Sequence, residues 1–145
     1  ARKKWWTAED SAGFAAAYAP LAAQFAAYDP LPGVAIDTAR TRTENIADLA
    51  GLAAAFDAYR ATLGKDANDP AKRKQLDRQF FIGYARSWRA AHQEPALRKL
   101  LASDNHAPER YRIATVRNLD AWYDAFDVRP GQQLYLAPEA RVRVW

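Results

Sequence analysis

Neither cysteine nor methionine occurs among the 145 residues of this chain. Without cysteine there is no disulfide framework, no thiolate nucleophile and no thiolate metal ligand, and the redox compartment stays open. Histidine is scarce too: His92 and His106 are the two in the chain, so imidazole chemistry has only two possible addresses. A long apolar run is also missing. The most apolar stretch, FAAAYAPLAAQFAAY at 14–28, contains Pro20 and Gln24 and falls short of the roughly 20 residues that cross a bilayer, so a soluble helix and no membrane span is expected. No basic segment leading into an apolar run and a cleavage site opens the chain. Any export signal is therefore expected to have been removed or to lie on a longer precursor. Charge of one sign is lacking as well. The net +4 comes from 21 Lys and Arg interspersed with 17 Asp and Glu, and no groove-reading motif accompanies it. Nucleic acid is therefore not expected as a partner; a basic helical nucleic-acid binder is the rival that steeply salt-dependent binding to generic DNA would reveal.

What is present fits one compact unit over residues 1–145, with half of the residues hydrophobic and a quarter charged. Phe14, Tyr18, Leu21 and Phe25 recur at helical spacing behind Thr7, a candidate N-cap, with Asp10 in the first turn and Pro20 expected to kink the helix. DPLPG at 29–33 breaks the chain, and VAIDTART reads as a connection or a short extended piece. A second helix is predicted from near Thr43, with Leu49, Leu52, Phe56, Tyr59 and Leu63 on one stripe and Gly64 at its end. A third, from about Lys72 to His92, is predicted to bury Leu76, Phe80, Phe81, Tyr84 and Trp88. Then come a short helix in EPALRKLLA, the loop SDNHAPER, a β-tolerant piece YRIATV, a last helix in RNLDAWYDAF and an end with turn signals but no helical period. The chain reads as mainly α.

Two places carry chemistry. Glu44 and Asp48 stand four apart on a helix, so their side chains share a face, where like charges cost a few tenths of a kcal/mol. Thr41 and Glu44 match the capping box S/T-x-x-E, which accounts for the first acid. Asp48 sits a turn deeper beside the Leu49 and Leu52 face, where an unpartnered carboxylate is expensive. A cation shared by the two acids is the second reading, and both stand open. The other place is the loop SDNHAPERYR, with Asp104, His106 and Arg112 close in sequence. His106 is either a solvent-exposed loop residue or, with Asp104 fixing its tautomer, a donor to a developing oxyanion. Arg112 could grip a carbonyl or a carboxylate. His92, at a helix end, reads as structural.

The ordered set WWT (5–7), ENIADLAGL (44–52), LDRQFFIGYARSWR (76–89), DNHAPERYRIATVRNLDAWYDAF (104–126) and PGQQLYLAPEARVRVW (130–145) resembles the C-terminal part of the neprilysin and endothelin-converting enzyme family of zinc metallopeptidases, above all its bacterial oligopeptidase members. The resemblance implies the helical C-terminal portion of a thermolysin-like (gluzincin) catalytic domain. It further implies that Glu44 is the third protein ligand of a catalytic zinc and that Asp48 hydrogen-bonds a zinc-ligating histidine. His106 would stabilise the oxyanion, with Asp104 as its orienting partner, and Arg112 would bind a backbone carbonyl of a peptide substrate. Asn45 is a candidate for a structural hydrogen bond near the site. The flanks of ENIAD depart from the family's usual TLG and LGG, with Arg42 and Thr43 before the motif and Ala50 after it, and Val142 stands where vertebrate members carry a cysteine.

The family's two histidine ligands and its general base lie on an upstream H-E-x-x-H helix, which is absent from these residues. The expectation is accordingly a segment of a zinc metalloendopeptidase that supplies one zinc ligand, needs the H-E-x-x-H segment as its partner, and is inactive alone. Exposed apolar surface where that partner would pack predicts self-association. An extracytoplasmic location, periplasmic or secreted, follows from the resemblance alone. The rival is a non-catalytic helical module that keeps the fold and binds a peptide or a protein partner.

Overall fold

A computed structural model describes residues 6–143; Trp5 of the WWT motif and the terminal Val144–Trp145 lie outside the described residues. Helix α1, Ala8–Ala26, opens as the sequence predicts. Thr7 Oγ1 accepts from the Asp10 amide at 3.0 Å and Asp10 Oδ2 accepts from the Thr7 amide at 2.8 Å, a reciprocal capping box. The helix runs on through Pro20, because its inner face of Tyr18, Leu21 and Phe25 is held by burial. After it, residues 29–41 form turns with one isolated bridge between Leu31 and Val34.

Helix α2, Arg42–Thr62, is the central element. The capping box expected from Thr41 and Glu44 does not form. Thr41 is itself in the helical region (φ −83°, ψ 0°) and its side chain caps nothing, because the chain already turns one step earlier. There Asp37 Oδ1 accepts from the amides of Ala39 and Arg40 at 3.1 and 3.0 Å, and Asp37 O accepts from Thr41 N. Helix α2 ends at Leu63, and Gly64 follows with φ +53°, a left-handed conformation that suits glycine. Its Leu49 joins Tyr18, Leu21, Phe25, Ile36, Leu101, Ala107 and Tyr111 in one core cluster, while Leu52 and Phe56 join Phe81, Val116 and Ala125 in a second. One helix thus braces both halves of the core, which fixes the direction of its polar side chains.

Helix α3, Pro70–Ser87, is capped by Asp69, whose Oδ1 accepts from Ala71 N and Lys72 N. It ends a turn and a half before the predicted His92. His92 therefore caps no helix; it pairs with Glu109 at 2.8 Å instead. Of the face expected to be buried, only Phe81 is; Leu76, Phe80, Tyr84 and Trp88 are half-covered, and Phe80 and Tyr84 border an open groove of about 590 Å³ between α2 and α3. That groove is floored by small residues of α2, Ala47, Gly51 and Ala55, and of α3, Gly83 and Ser87. Asp77, by contrast, is buried with no warning from periodicity, its two oxygens taken by Arg60 at 2.7 and 2.5 Å.

The remaining helices are short: α4, Glu94–Ser103, α5, Glu109–Ile113, and α6, Asp120–Phe126. The piece read as β-tolerant, YRIATV, is helical, divided between α5 and a 3₁₀ turn over Ala114–Asn118. Pro108 starts that helix, and burial of Tyr111, Ala114, Thr115 and Val116 overrides their strand preference. Residues 127–143 are irregular, with one 3₁₀ turn at Pro138–Ala140. They are tied back by Asn118 Oδ1, which accepts from Val142 N and from Gln24 Nε2 of α1, both at 2.8 Å. No helix among the described residues is long and apolar enough to cross a membrane.

Candidate functional site

Three segments converge on the polar face of α2: its own first turns, the loop 104–108 and α5. Glu44 and Asp48, four residues apart, share one face of α2, and Asn45 turns away from it. Asn45 points inward and is fully buried; its Nδ2 donates to Thr41 Oγ1 at 2.9 Å and to Tyr18 Oη at 3.2 Å. That is the structural hydrogen bond expected of it.

Glu44 looks out towards the loop. His106 Nε2 lies 3.2 Å from Glu44 Oε2, and on its other side His106 Nδ1 lies 2.8 Å from Asp104 Oδ1. The same Asp104 oxygen accepts from the His106 amide at 2.8 Å, so the loop is an Asx turn that sets backbone and ring together. These bonds, from the His106 amide first and its ring second, hold the Asp104 carboxyl below its usual range. Asp104 is also the residue at which α4 ends, its amide bonded to Leu100 O, and Pro108 starts α5 two residues after His106. The ring is thus pinned between two helix ends, with Nδ1 engaged and Nε2 turned to Glu44. Glu44 and His106 are both partly exposed, at 31 and 40 % of their side-chain surface.

Asp48, one turn along, has the partner that neither sequence reading supplied. Arg112 Nε and Nη2 donate to its two carboxylate oxygens, each at 2.7 Å, in a side-on bidentate pair. Both side chains are largely buried, 10 % exposed for Asp48 and 14 % for Arg112. The Arg112 guanidinium lies 3.9 Å over the Trp88 ring, and Tyr84 Oη donates to the Arg112 backbone oxygen at 3.3 Å. Asp48 raises the Arg112 pKa further, mainly through these hydrogen bonds, and so keeps it charged. The Tyr84 phenol is pushed up to about 12, by burial first and by the charge of Asp48 second. Neither Trp88 nor Tyr84 announced itself in the sequence as other than core. The pairing of residues 48 and 112 had no local signal either, since they are 64 apart in the chain.

All five candidate residues therefore meet on one face: a Glu44–His106–Asp104 line and, beside it, an Asp48–Arg112 pair. Among the described residues no three His, Asp or Glu side chains come together as a metal-holding group. The arrangement offers one half-open carboxylate, an oriented imidazole and a clamped guanidinium.

Residues 1–142 match the model of peptidase family M13.

The chain belongs to peptidase family M13.

Among curated relatives of this M13 chain, the neutral endopeptidase of Lactobacillus helveticus is 37% identical over 142 residues, covering 97% of the chain and 20% of that protein. Human neprilysin is 28% identical over 150 residues, covering 97% of the chain and 19% of that protein. Two solved structures superimpose closely. The zinc metalloprotease Zmp1 of Mycobacterium tuberculosis, in complex with an inhibitor, gives a TM-score of 0.82 at 37% identity, over 97% of this chain and 22% of that one. PepO from Lactobacillus rhamnosis gives 0.76 at 36% identity, over 97% and 21%. The M13 chain spans about one fifth of the length of these relatives and corresponds to the C-terminal portion of the family's zinc metalloproteases.

Proposed function

We propose that this chain is the part of a zinc metalloendopeptidase, acting on peptides or oligopeptides, that supplies the third zinc ligand and the groups that steady the transition state. The observation that carries the reading is the Glu44–His106–Asp104 line, in which the imidazole has one nitrogen engaged by Asp104 and presents the other beside the Glu44 carboxylate.

The donor set fits one vertex of a zinc site. Glu44 is a half-open carboxylate, an oxygen donor that zinc accepts, and among the described residues no guanidinium or ammonium pairs with it. The two histidine ligands are assigned to the H-E-x-x-H segment of the longer protein. When bound there, zinc would supply Lewis acidity and an activated water. Asp48 keeps lone pairs to spare after binding Arg112, since each carboxylate oxygen has two, and so can still accept from the N–H of a ligating histidine. His106, donating from Nδ1 to Asp104, can give a second hydrogen bond from Nε2 to a carbonyl oxygen as negative charge builds on it; both bonds together require the imidazolium. Arg112, with Nε and Nη2 committed to Asp48, keeps Nη1 for a peptide carbonyl. The open α2–α3 groove next to Asp48, lined by small and apolar residues, supports a packing surface for another segment of the same protein. Alone, this chain would hold zinc weakly and hydrolyse no peptide.

The test is zinc stoichiometry and peptidase activity of the chain by itself and after mixing with the segment that carries H-E-x-x-H. Zinc and activity appearing in the mixture only, and disappearing in Glu44→Ala, are the expected result. A well-formed complex with neither zinc nor activity would leave the ENIAD face as scaffold and favour a peptide- or partner-binding module.

A further inference from the structure

We propose that Arg40 is a positioning residue for the His106 loop, holding Asp104 and His106 in their place beside Glu44; the proposal rests on the assignment of His106 to the oxyanion made above. Arg40 stands in the turn before α2, and Asp37 sets both its backbone and its side chain. Asp37 Oδ1 accepts from the Arg40 amide at 3.0 Å, and Asp37 Oδ2 lies 3.2 Å from Arg40 Nη2. The turn runs directly into α2, because Thr41 Oγ1 donates to Asp37 O and the Asn45 amide donates to Thr41 O. From that base Arg40 Nη1 reaches across to α4, donating to Leu101 O at 3.2 Å and to Ala102 O at 2.6 Å. Both are end carbonyls of α4, which no amide within the helix can meet. Helix α4 has no basic residue in its own last turn, so its C-terminal dipole is met by a cation from another segment.

The two ends of this strut are the roots of the Glu44–His106–Asp104 line. Arg40 is four residues before Glu44, and Ala102 is two before Asp104. The core holds the chain at Leu101 and again at Ala107, but residues 102–105 between them are exposed and His106 is half-buried. Packing therefore does not fix the stretch that carries the imidazole. From the α2 side that stretch is reached by Arg40 at Ala102 O and by Glu44 at His106 Nε2. On the reading above, Glu44 turns to zinc and Nε2 to substrate, so the second link is given up in the working enzyme and the first is kept. Asp104 then orients the ring relative to α4, and Arg40 orients the end of α4 relative to α2.

The experiment measures kcat and KM on a peptide substrate, zinc content and thermal unfolding in the full-length enzyme, and backbone hydrogen exchange over residues 100–106 in its zinc-free form. Arg40→Ala is expected to lower kcat by about three- to tenfold, as for loss of a cation bonded to a half-exposed helix C-terminus, with KM and zinc content unchanged. The loss falls on kcat because an oxyanion donor acts in the transition state. Exchange over residues 100–106 should quicken by about the same factor, with the rest of α2 unchanged. Arg40→Lys, which keeps a cation and its donors, should bring kcat to within about twofold of the parent. In a His106→Ala background, Arg40→Ala should change kcat by less than about twofold, because the residue through which it acts is gone. Equal losses with and without His106 would mean that Arg40 acts through general stability and would overturn the proposal. So would unchanged exchange over residues 100–106. An unchanged kcat in Arg40→Ala, beside a loss in His106→Ala, removes the positioning role alone. A parental kcat in His106→Ala removes the assignment of His106 and the proposal with it. If Arg40→Ala does not fold, Arg40→Met carries the same measurements with the same criteria.

Discussion

Removing either member of the Asp48–Arg112 pair should destabilise the protein sharply, and removing both should not. The two side chains are 10 and 14 % exposed and share two hydrogen bonds of 2.7 Å. Taking away one member of such a buried pair leaves an uncompensated charge, which costs about 3 to 5 kcal/mol. The structure also ranks the two losses. Arg112→Met strands Asp48 beside Glu44 one helical turn away, adding a like-charge repulsion of a few tenths of a kcal/mol. Asp48→Leu leaves Arg112 on the Trp88 ring, a contact worth about 1 kcal/mol that persists without the carboxylate. Arg112→Met should therefore be the worse single substitution, at about 4 to 5 kcal/mol against about 3 to 4 for Asp48→Leu. The double variant, with apolar groups of similar volume facing each other, should lie within about 2 kcal/mol of the parent. Urea unfolding of all four proteins gives the cycle directly, and the coupling energy should be several kcal/mol, favouring the intact pair. Single variants each within about 1 kcal/mol of the parent, or additive losses in the double, would refute the view that burial and pairing of these two charges govern the α2–α5 contact.

The Arg60–Asp77 pair should show a larger asymmetry, because Asp77 is 4 % exposed and Arg60 is 32 % exposed. Arg60→Met strands a buried carboxylate and should cost about 3 kcal/mol or more, whereas Asp77→Ala leaves an arginine that can reach water and should cost about half as much; equal losses in urea unfolding would contradict this. The carboxyl of Asp104 is held below its ordinary value near 3.8, so the unfolded chain takes up that proton first as pH falls. Its contribution to stability is therefore complete above the unfolded value and is lost as pH falls from about 4 through the lower folded one. Asp104→Asn should abolish that acid-side slope in a pH series of thermal unfolding, and an unchanged slope would remove the His106–Asp104 bonds as its cause. In the intact enzyme, His106→Ala should lower kcat by about 10² to 10³, the usual loss for one oxyanion donor, corresponding to about 2.7 to 4 kcal/mol in the barrier. A loss under about tenfold would take the oxyanion role from His106.

Most helix positions, and the Asp104–His106 contact, were legible from residue patterns; the Asp48–Arg112 pair was not. Thr7 and Asp10 announce the start of α1 because a capping box is local, closed within four residues. The same logic misplaces the start of α2, since Thr41 and Glu44 satisfy the pattern while Asp37 has already turned the chain. YRIATV misleads for a related reason: strand preference is a statement about a half-buried pleated surface, and these residues are instead buried behind the turn that Pro108 begins. The aromatic face of α3 was read as core from spacing alone, but spacing identifies a face without saying whether these residues or another segment covers it.

Asp48 puts the limit most clearly. A carboxylate a turn inside an amphipathic helix signals a need for a cation, and the resemblance of the ENIAD motif implied a histidine beside zinc as its partner. The partner present is Arg112, whose own expected task was to hold substrate. These readings are compatible, because the acid has lone pairs for both and the guanidinium has an edge to spare. Their coexistence gives Asp48 a reason to be a carboxylate that neither role supplies alone. On the proposed reading it would bind the ligand side of the site and the substrate side at once; an amide in its place keeps one acceptor oxygen, loses the second bond to Arg112 and brings no charge to balance the guanidinium. Asp48→Asn in the full-length enzyme should therefore impair zinc retention and raise KM together, and a variant that moves just one of the two would show that the aspartate serves a single side.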